Sequence, residues 1–336
     1  MKNIIKLYFL LLITVGYSQQ NFSLSILSDI SFSNKDSTFN SSGVELVGMG
    51  KPYPNIMIMA YLHFPFNNDK VSIEEVFLDL KNNLDLKLGY FRPNIGFLNK
   101  THKHTYNFIS SPNSIKYLIG DHSWSSLGIS AGYELPLKWK NQISINILKN
   151  TIGEESKTSF HDHNFTNSIQ DTINNQLAYG LIFKQGFIIN NQLKVKTGFN
   201  HINGREKSMN GISFQLRNDT NQYKFWLIEG EFFKANISDY HNGLSYHPNE
   251  KLVSKYLLLG RQFNKNFHLG FIFDQWIYDL KDFQGSSKSL YISFAPKNDD
   301  FVVRFKISEN ETIYGRSPLG IIQLNWSLGP HTPQRY

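Results

Sequence analysis

Residues 84–104 read LDLKLGYFRPNIGFLNKTHKH, and the fold follows from how the first eight of them alternate. Leu84, Leu86, Leu88 and Tyr90 fall on one side of an extended chain, with Asp85, Lys87, Gly89 and Phe91 on the other. A period of two is that of a β-strand. Arg92-Pro93 ends it, because proline offers no N–H to a ladder, and a loop rich in Asn, Lys and His follows. A strand oily on one side and charged on the other, feeding a long polar loop, is what the wall of a transmembrane β-barrel requires.

The same alternation recurs on both sides of this stretch. Upstream, Ile56, Ile58, Ala60, Leu62, Phe64 and Phe66 share a face opposite Met57, Met59, Tyr61 and His63. Residues 73–80 form a hairpin with 84–91 through Lys81-Asn82-Asn83. Downstream, alternating runs appear near 127–135, 143–147, 177–183, 193–199, 212–216, 223–232, 267–274, 290–294, 301–308 and 319–328. Residues 22–32 alternate too, whereas 252–262 are apolar on both faces and leave their orientation open. Polar loops are expected at 33–42, 92–125, 151–175 and 236–250, and few windows sustain a helical period. The pattern predicts one antiparallel barrel of about 14 strands, within 12–16 and even in number.

A soluble β-sandwich also alternates. Strand length, aromatic content and an export signal decide for the barrel. Strands of about 9–11 residues cross a bilayer, and 17 Tyr with 27 Phe can furnish its interfacial girdles. Residues 1–18 carry Lys2 and Lys6, a short apolar core at 7–15, and small residues at Gly16 and Ser18, which reads as a cleaved secretory signal. The mature domain is then 19–336. There is no cysteine, so disulfides and thiolate metal sites are excluded. Losing the two signal lysines takes the net charge from +7 to +5, a surplus too scattered for nucleic acid.

Several motifs resemble a family. Gly89-Tyr90-Phe91-Arg92, Gly96-Phe97-Leu98-Asn99, His102-Lys103-His104, Pro112, Gly120 and the closing Gly329-Pro330-His331 are similar to the pattern of porin-like outer-membrane barrels of Bacteroidota, related to the phosphate-selective porins. The resemblance implies insertion into outer-membrane lipid by the barrel-assembly machinery, and no cofactor. Pro330 and Pro333 depart from the alternating aromatic ending expected there, which puts Tyr336 in doubt as the assembly signal.

Three chemistries are worth weighing. If 92–125 turns inward, Arg92, Lys100, His102, Lys103 and His104, together with wall residues Lys87, Asp85, Lys194, Lys196, Arg304 and Lys306, would form a positive constriction favouring anions. The ordinary alternative is a solvated external loop. The pair His102 and His104, and the pair His161 and His163, suit zinc, since His-x-His on a strand turns both rings to one side. His201-Ile202-Asn203-Gly204-Arg205 resembles the active stretch of outer-membrane phospholipases, but Asn203 stands where the nucleophilic serine belongs, so no enzyme is expected. The sequence therefore points to a bacterial outer-membrane channel for passive diffusion of small hydrophilic solutes or ions, leaning to anions. Its rival is a non-conducting or secreted β-protein that binds a ligand or zinc through its loops.

Overall fold

The computed structural model describes residues 22–330, apart from 36, 67–70, 121–122, 150–176, 191, 205–206, 222, 242–243, 279–283 and 298–299. The sequence readings at 1–18 and 331–336, and the zinc-ligand reading of His161 and of His163, lie outside the described residues. The strands are β1 (Phe22–Ser33), β2 (Thr38–Asn40), β3 (Val44–Tyr53), β4 (Ile56–Phe64), β5 (Ser72–Lys81), β6 (Asp85–Phe91), β7 (Ser126–Leu135), β8 (Lys140–Leu148) and β9 (Ala178–Ile188). They continue as β10 (Leu193–Asn203), β11 (Lys207–Asn221), β12 (Lys224–His241), β13 (Leu244–Gln262), β14 (Phe267–Tyr278), β15 (Gln284–Lys297), β16 (Phe301–Thr312) and β17 (Gly315–Leu328).

Each long strand pairs antiparallel with the next, and β17 returns to β1 with Asp29 opposite Asn325. The three-residue β2 pairs on β1, Phe39 opposite Phe32, outside this circuit. Among the described residues the barrel thus closes with sixteen strands, not fourteen. Closure leaves no edge whose N–H and C=O groups would face hydrocarbon.

The strand that no alternating run marks is β3. Its sequence, VELVGMGKPY, carries Gly48, Gly50 and Pro52 where side chains would mark the period. Residues 236–250 are a second correction, because β12 and β13 pair as far as His241 opposite Leu244 instead of forming a loop. Past the apolar band a strand needs no oily face, so alternation gives no signal there. The ambiguous stretch 252–262 resolves in β13, where Leu252, Ser254, Tyr256, Leu258 and Gln262 are buried inward. Leu257 and Leu259 point outward, exposed.

Tight connections at 54–55, 82–84, 136–139 and 263–266 share one end of the barrel, and the long segment that follows β6 begins at the other. Outside, Leu127, Ile129, Ile145, Ile147, Leu257, Phe271, Leu290 and Phe305 are all exposed. A continuous apolar exterior of this kind would aggregate in water but matches hydrocarbon. At the tight-turn end Trp139 packs edge-on to Phe187 at 5.1 Å, as in an interfacial girdle. Leu257→Arg on this face is expected to cost about 2–4 kcal/mol of folding stability in lipid, read from urea unfolding in vesicles. An unchanged midpoint would mean that this face does not meet lipid.

Candidate functional site

Residues 92–120 do not stand out from the barrel. They turn into it and are held by strands all around the wall. Near the start, Gly96 N–H donates to Asn200 Oδ1 on β10 at 3.1 Å. The N–H groups of Phe97 and Leu98 donate to Glu231 Oε1 on β12 at 2.6 and 3.2 Å. Lys184 on β9 donates to Asn94 Oδ1 and to the Gly96 carbonyl at 2.5 and 2.7 Å. Gly96 has φ +56°, and a Cβ there would run into the Glu231 carboxylate. Glycine is therefore needed for both the left-handed turn and the close approach.

Further along, a short 3-10 turn spans Lys103–Thr105, and a seven-residue helix, α1 (Asn113–Ile119), crosses toward the far wall. Ser114 N–H donates to Asp274 Oδ2 on β14 at 3.0 Å, and Ser254 Oγ on β13 donates to the Ser114 carbonyl at 2.7 Å. Lys207 Nζ on β11 donates to the Leu118 carbonyl. Arg304 Nη2 on β16 donates to the His104 carbonyl at 2.8 Å, and Lys306 Nζ reaches Ser110 Oγ at 3.2 Å. Two of the wall cations expected at the constriction, Arg304 and Lys306, therefore hold the segment's polar atoms.

The segment carries its own apolar side chains into the lumen. Ile95, Leu98, Tyr106, Phe108, Ile115, Leu118, Ile119 and Trp124 join inward residues of β8–β15, among them Phe225, Leu227, Leu258, Ile272, Trp276 and Tyr291, in one buried cluster. Tyr117 lies 5.1 Å from Trp276 and Phe108 lies 5.7 Å from Tyr291, ring to ring. The barrel interior is thus part core, a feature that a plain greasy-outside, wet-inside reading does not anticipate. The signal was present, since Leu227, Leu258 and Ile272 are apolar at inward positions.

The charged groups named from the sequence separate into two sets. Toward the long-segment end, Arg92 Nη2 pairs with Glu74 Oε2 at 2.7 Å, and the Arg92 N–H donates to Glu75 Oε1 at 2.7 Å. His102 Nε2 lies 2.7 Å from Glu75 Oε2 and stacks on Tyr61 at 3.8 Å. His104 Nδ1 lies 2.7 Å from Glu45 Oε2. Burial and Arg92 work against charging His102, yet Glu74 and Glu75 hold its pKa above the ordinary value. Burial lowers the pKa of His104 despite Glu45 beside it. These acids, Glu45, Glu74 and Glu75, were not singled out as site residues, because nothing local to the sequence tells which loop will meet them. A cavity of about 190 Å³ opens beside this set, lined by Asp29, Glu45, His63, Glu74, Arg92 and Lys103 among others.

Of the two His-x-His pairs that spacing suggested for zinc, His102 and His104 lie among the described residues, where they meet carboxylates of β3 and β5. His-x-His spacing sets where two rings of one segment point, but says nothing about which other segment comes to face them.

The second set of charged groups lies toward the tight-turn end. Lys87 sits 4.2 Å over the Phe77 ring, with Asp79 opposite it in the ladder, and Asp85 accepts from Gln142 at 3.4 Å. Lys194 pairs with Asp219 at 2.6 Å. Lys100 and Lys196 present exposed side chains. Enclosure within the lumen, with the charges of Lys196 and Lys87, lowers the pKa of Lys100. The nearby acids are covered, since Tyr256 hydroxyl lies 2.9 Å from Glu229 Oε1 and 3.1 Å from Glu231 Oε1, and Gln215 Nε2 donates to Glu229 at 2.6 Å. The exposed charges of this set are thus those of Lys100 and Lys196. Away from the lumen, His201 faces outward and pairs with Asn210 at 2.7 Å.

Gly96→Val, which adds a Cβ against Glu231 and forces an unfavourable φ, is expected to loosen the inward segment while the strands hold. Trypsin should then cleave at Lys100 and Lys103 faster than in the parent protein. Equal cleavage rates would show that the Glu231 anchor does not fix the segment.

A closed sixteen-stranded barrel, apolar outside and with a long loop folded inward, is a protein of the bacterial outer membrane. Solved structures share the fold. The outer-membrane channel DcaP of Acinetobacter baumannii is 10% identical, with 92% of this chain and 96% of that one covered at a TM-score of 0.56. An anion-selective porin from Comamonas acidovorans is likewise 10% identical, with 92% and 98% covered and a TM-score of 0.55. OprB of Pseudomonas putida is 9% identical, with 92% and 94% covered and a TM-score of 0.59. No protein-family model matches the chain, and no curated protein sequence matches it.

Proposed function

We propose that this protein is a narrow porin-like channel through which small hydrophilic solutes and ions diffuse passively, with a preference for anions. The observation that carries the reading is the inward-folded segment, anchored by Glu231, Asn200, Asp274 and Arg304, which reduces a sixteen-stranded lumen to restricted passages. A barrel of this strand number left unfilled would hold a wide aqueous channel. The preference follows from Lys100 and Lys196 presented to solvent above covered carboxylates, because fixed charge on a low-dielectric wall raises the local concentration of its counter-ion. The anion-selective Comamonas porin among the fold neighbours is in keeping with this reading. The motif resemblance to porin-like barrels of Bacteroidota supports the same class, and we extend it to insertion by the barrel-assembly machinery.

Reconstitution into planar bilayers tests the proposal. Discrete, small single-channel steps and a reversal potential of anion-selective sign in a KCl gradient are expected. A folded barrel, verified by heat-modifiable gel migration, that carries no current would reject the channel. A cation-selective potential would reject the preference.

A further inference from the structure

A group of side chains beside the cavity has no part in the lysine lining. Glu45 comes from the start of β3, His63 from the end of β4, Glu74 and Glu75 from the start of β5, and His102 and His104 from the inward segment. One donor atom each of Glu45, His102 and His104 lies within 4.8 Å of the others, and the same holds for Glu45, His63 and Glu74. His102 Nε2 is engaged by Glu75 at 2.7 Å, which leaves its Nδ1 turned into the group, 3.3 Å from Glu74 Oε2. His104 Nδ1 likewise lies 2.7 Å from Glu45 Oε2, so each of these two ring nitrogens faces a carboxylate of the group. Tetrahedral ligands with bonds of about 2.0–2.1 Å sit roughly 3.4 Å apart, so modest side-chain movement would bring these donors around one ion.

Charge argues the same way. Asp29, Glu45, Glu74 and Glu75 face Arg92, Lys103 and Arg304, which holds the His104 carbonyl, four negative against three positive, so with neutral imidazoles the group carries −1. That residual negative charge favours a cation. Two imidazoles with carboxylates suit Zn²⁺ and its transition-metal neighbours, whereas Ca²⁺ and Mg²⁺ take oxygen ligands.

We propose that Glu45, His102 and His104 bind one divalent transition-metal ion of the Zn²⁺ class, with His63 and Glu74 in reach as further ligands. Glu75 is then the carboxylate that orients the His102 ring, the usual outer partner of a metal-bound histidine. The ion would tie the inward segment to β3 beside the cavity. The site goes beyond the channel reading and is measured without current, so either can fail alone.

The test is calorimetric titration of ZnCl₂ into the EDTA-stripped, dialysed, detergent-folded barrel, with the visible spectrum of the Co²⁺-loaded protein as a second readout. One Zn²⁺ per chain is expected, with Co²⁺ bands of four-coordinate N/O type. His102→Ala, His104→Ala and Glu45→Gln should each weaken binding at least tenfold, and Glu75→Gln by about 10–100-fold. The double variant His161→Ala with His163→Ala should leave it unchanged. Heat-modifiable migration identifies any variant that fails to fold, and for such a variant the parent Co²⁺ spectrum decides. Absence of Zn²⁺ binding and of Co²⁺ bands in the parent protein overturns the proposal and leaves a network of protonated histidines balancing the acids. Binding that survives in folded His102→Ala and His104→Ala overturns it equally.

Discussion

Replacing residues 95–123 with a short Gly/Ser turn is expected to raise single-channel conductance several-fold while the barrel still closes. The excision is geometrically mild. Phe91 and Ser126 are already opposite each other in the β6–β7 ladder. The two ends of the segment also meet, since Asn99 Nδ2 donates to the carbonyls of Pro93 and Trp124 at 2.8 and 3.2 Å, and Trp124 N–H returns to Asn99 Oδ1 at 2.7 Å. The removed chain carries Ile95, Leu98, Tyr106, Phe108, Ile115, Leu118 and Ile119 out of the lumen cluster, so Phe225, Leu227, Leu258, Ile272, Trp276 and Tyr291 would be left facing water. Apolar surface returned to water costs about 25 cal/mol per Å². Thermal stability should therefore fall as conductance rises, and the variant should show a lower melting temperature with intact heat-modifiable migration. Conductance equal to the parent's in a folded variant would mean that the segment does not limit the passage.

Why the wall was legible and its contents were not follows from the range of each signal. In Leu84–Phe91 and in Phe301, Val303, Phe305 and Ile307 against Arg304 and Lys306, each residue's environment is set by its own parity, so the sequence shows it directly. The period fails where glycine replaces side chains, as at Gly48 and Gly50 in β3, and where the strand leaves the apolar band, as beyond Asn236 in β12. The pairings of the inward segment are of another kind. Glu231 meets Phe97 across 134 positions and Arg304 meets His104 across 200, distances that no local pattern encodes. A hint did exist in Gly96, set between apolar neighbours in a loop otherwise dense in Asn, Lys and His. The same limitation applied to the histidines. His102 and His104 stood out by spacing, as did His161 and His163, but spacing could not say which residues would face them. Glu45, Glu74 and Glu75 became the partners of His102 and His104 only once β3 and β5 were placed beside the segment.

Charge reversal of the two exposed lysines, Lys100→Glu with Lys196→Glu, is expected to carry the reversal potential from the anion side to the cation side. Each substitution changes the local charge by two units, so the pair shifts it by four, in a lumen whose walls are low in dielectric. Of the remaining cations there Lys194 is met by Asp219, while Lys184, held by Asn94 and the Gly96 carbonyl, and Lys87, over the Phe77 ring, temper the change without matching its four units. Lys100→Gln with Lys196→Gln should move the potential in the same direction by about half as much. The effect should be largest near 0.1 M salt, where screening extends over about 10 Å, and shrink at 1 M, where it extends over about 3 Å. Arg92→Gln supplies the contrast. Its charge is already met by Glu74 at 2.7 Å, so losing it should cost folding stability, through a buried carboxylate left without its partner, more than it alters selectivity. A reversal potential unmoved by the double Lys→Glu change, in a protein that still conducts, would show that ions pass along the other side of the inward segment, beside Asp29, Glu45 and Glu74.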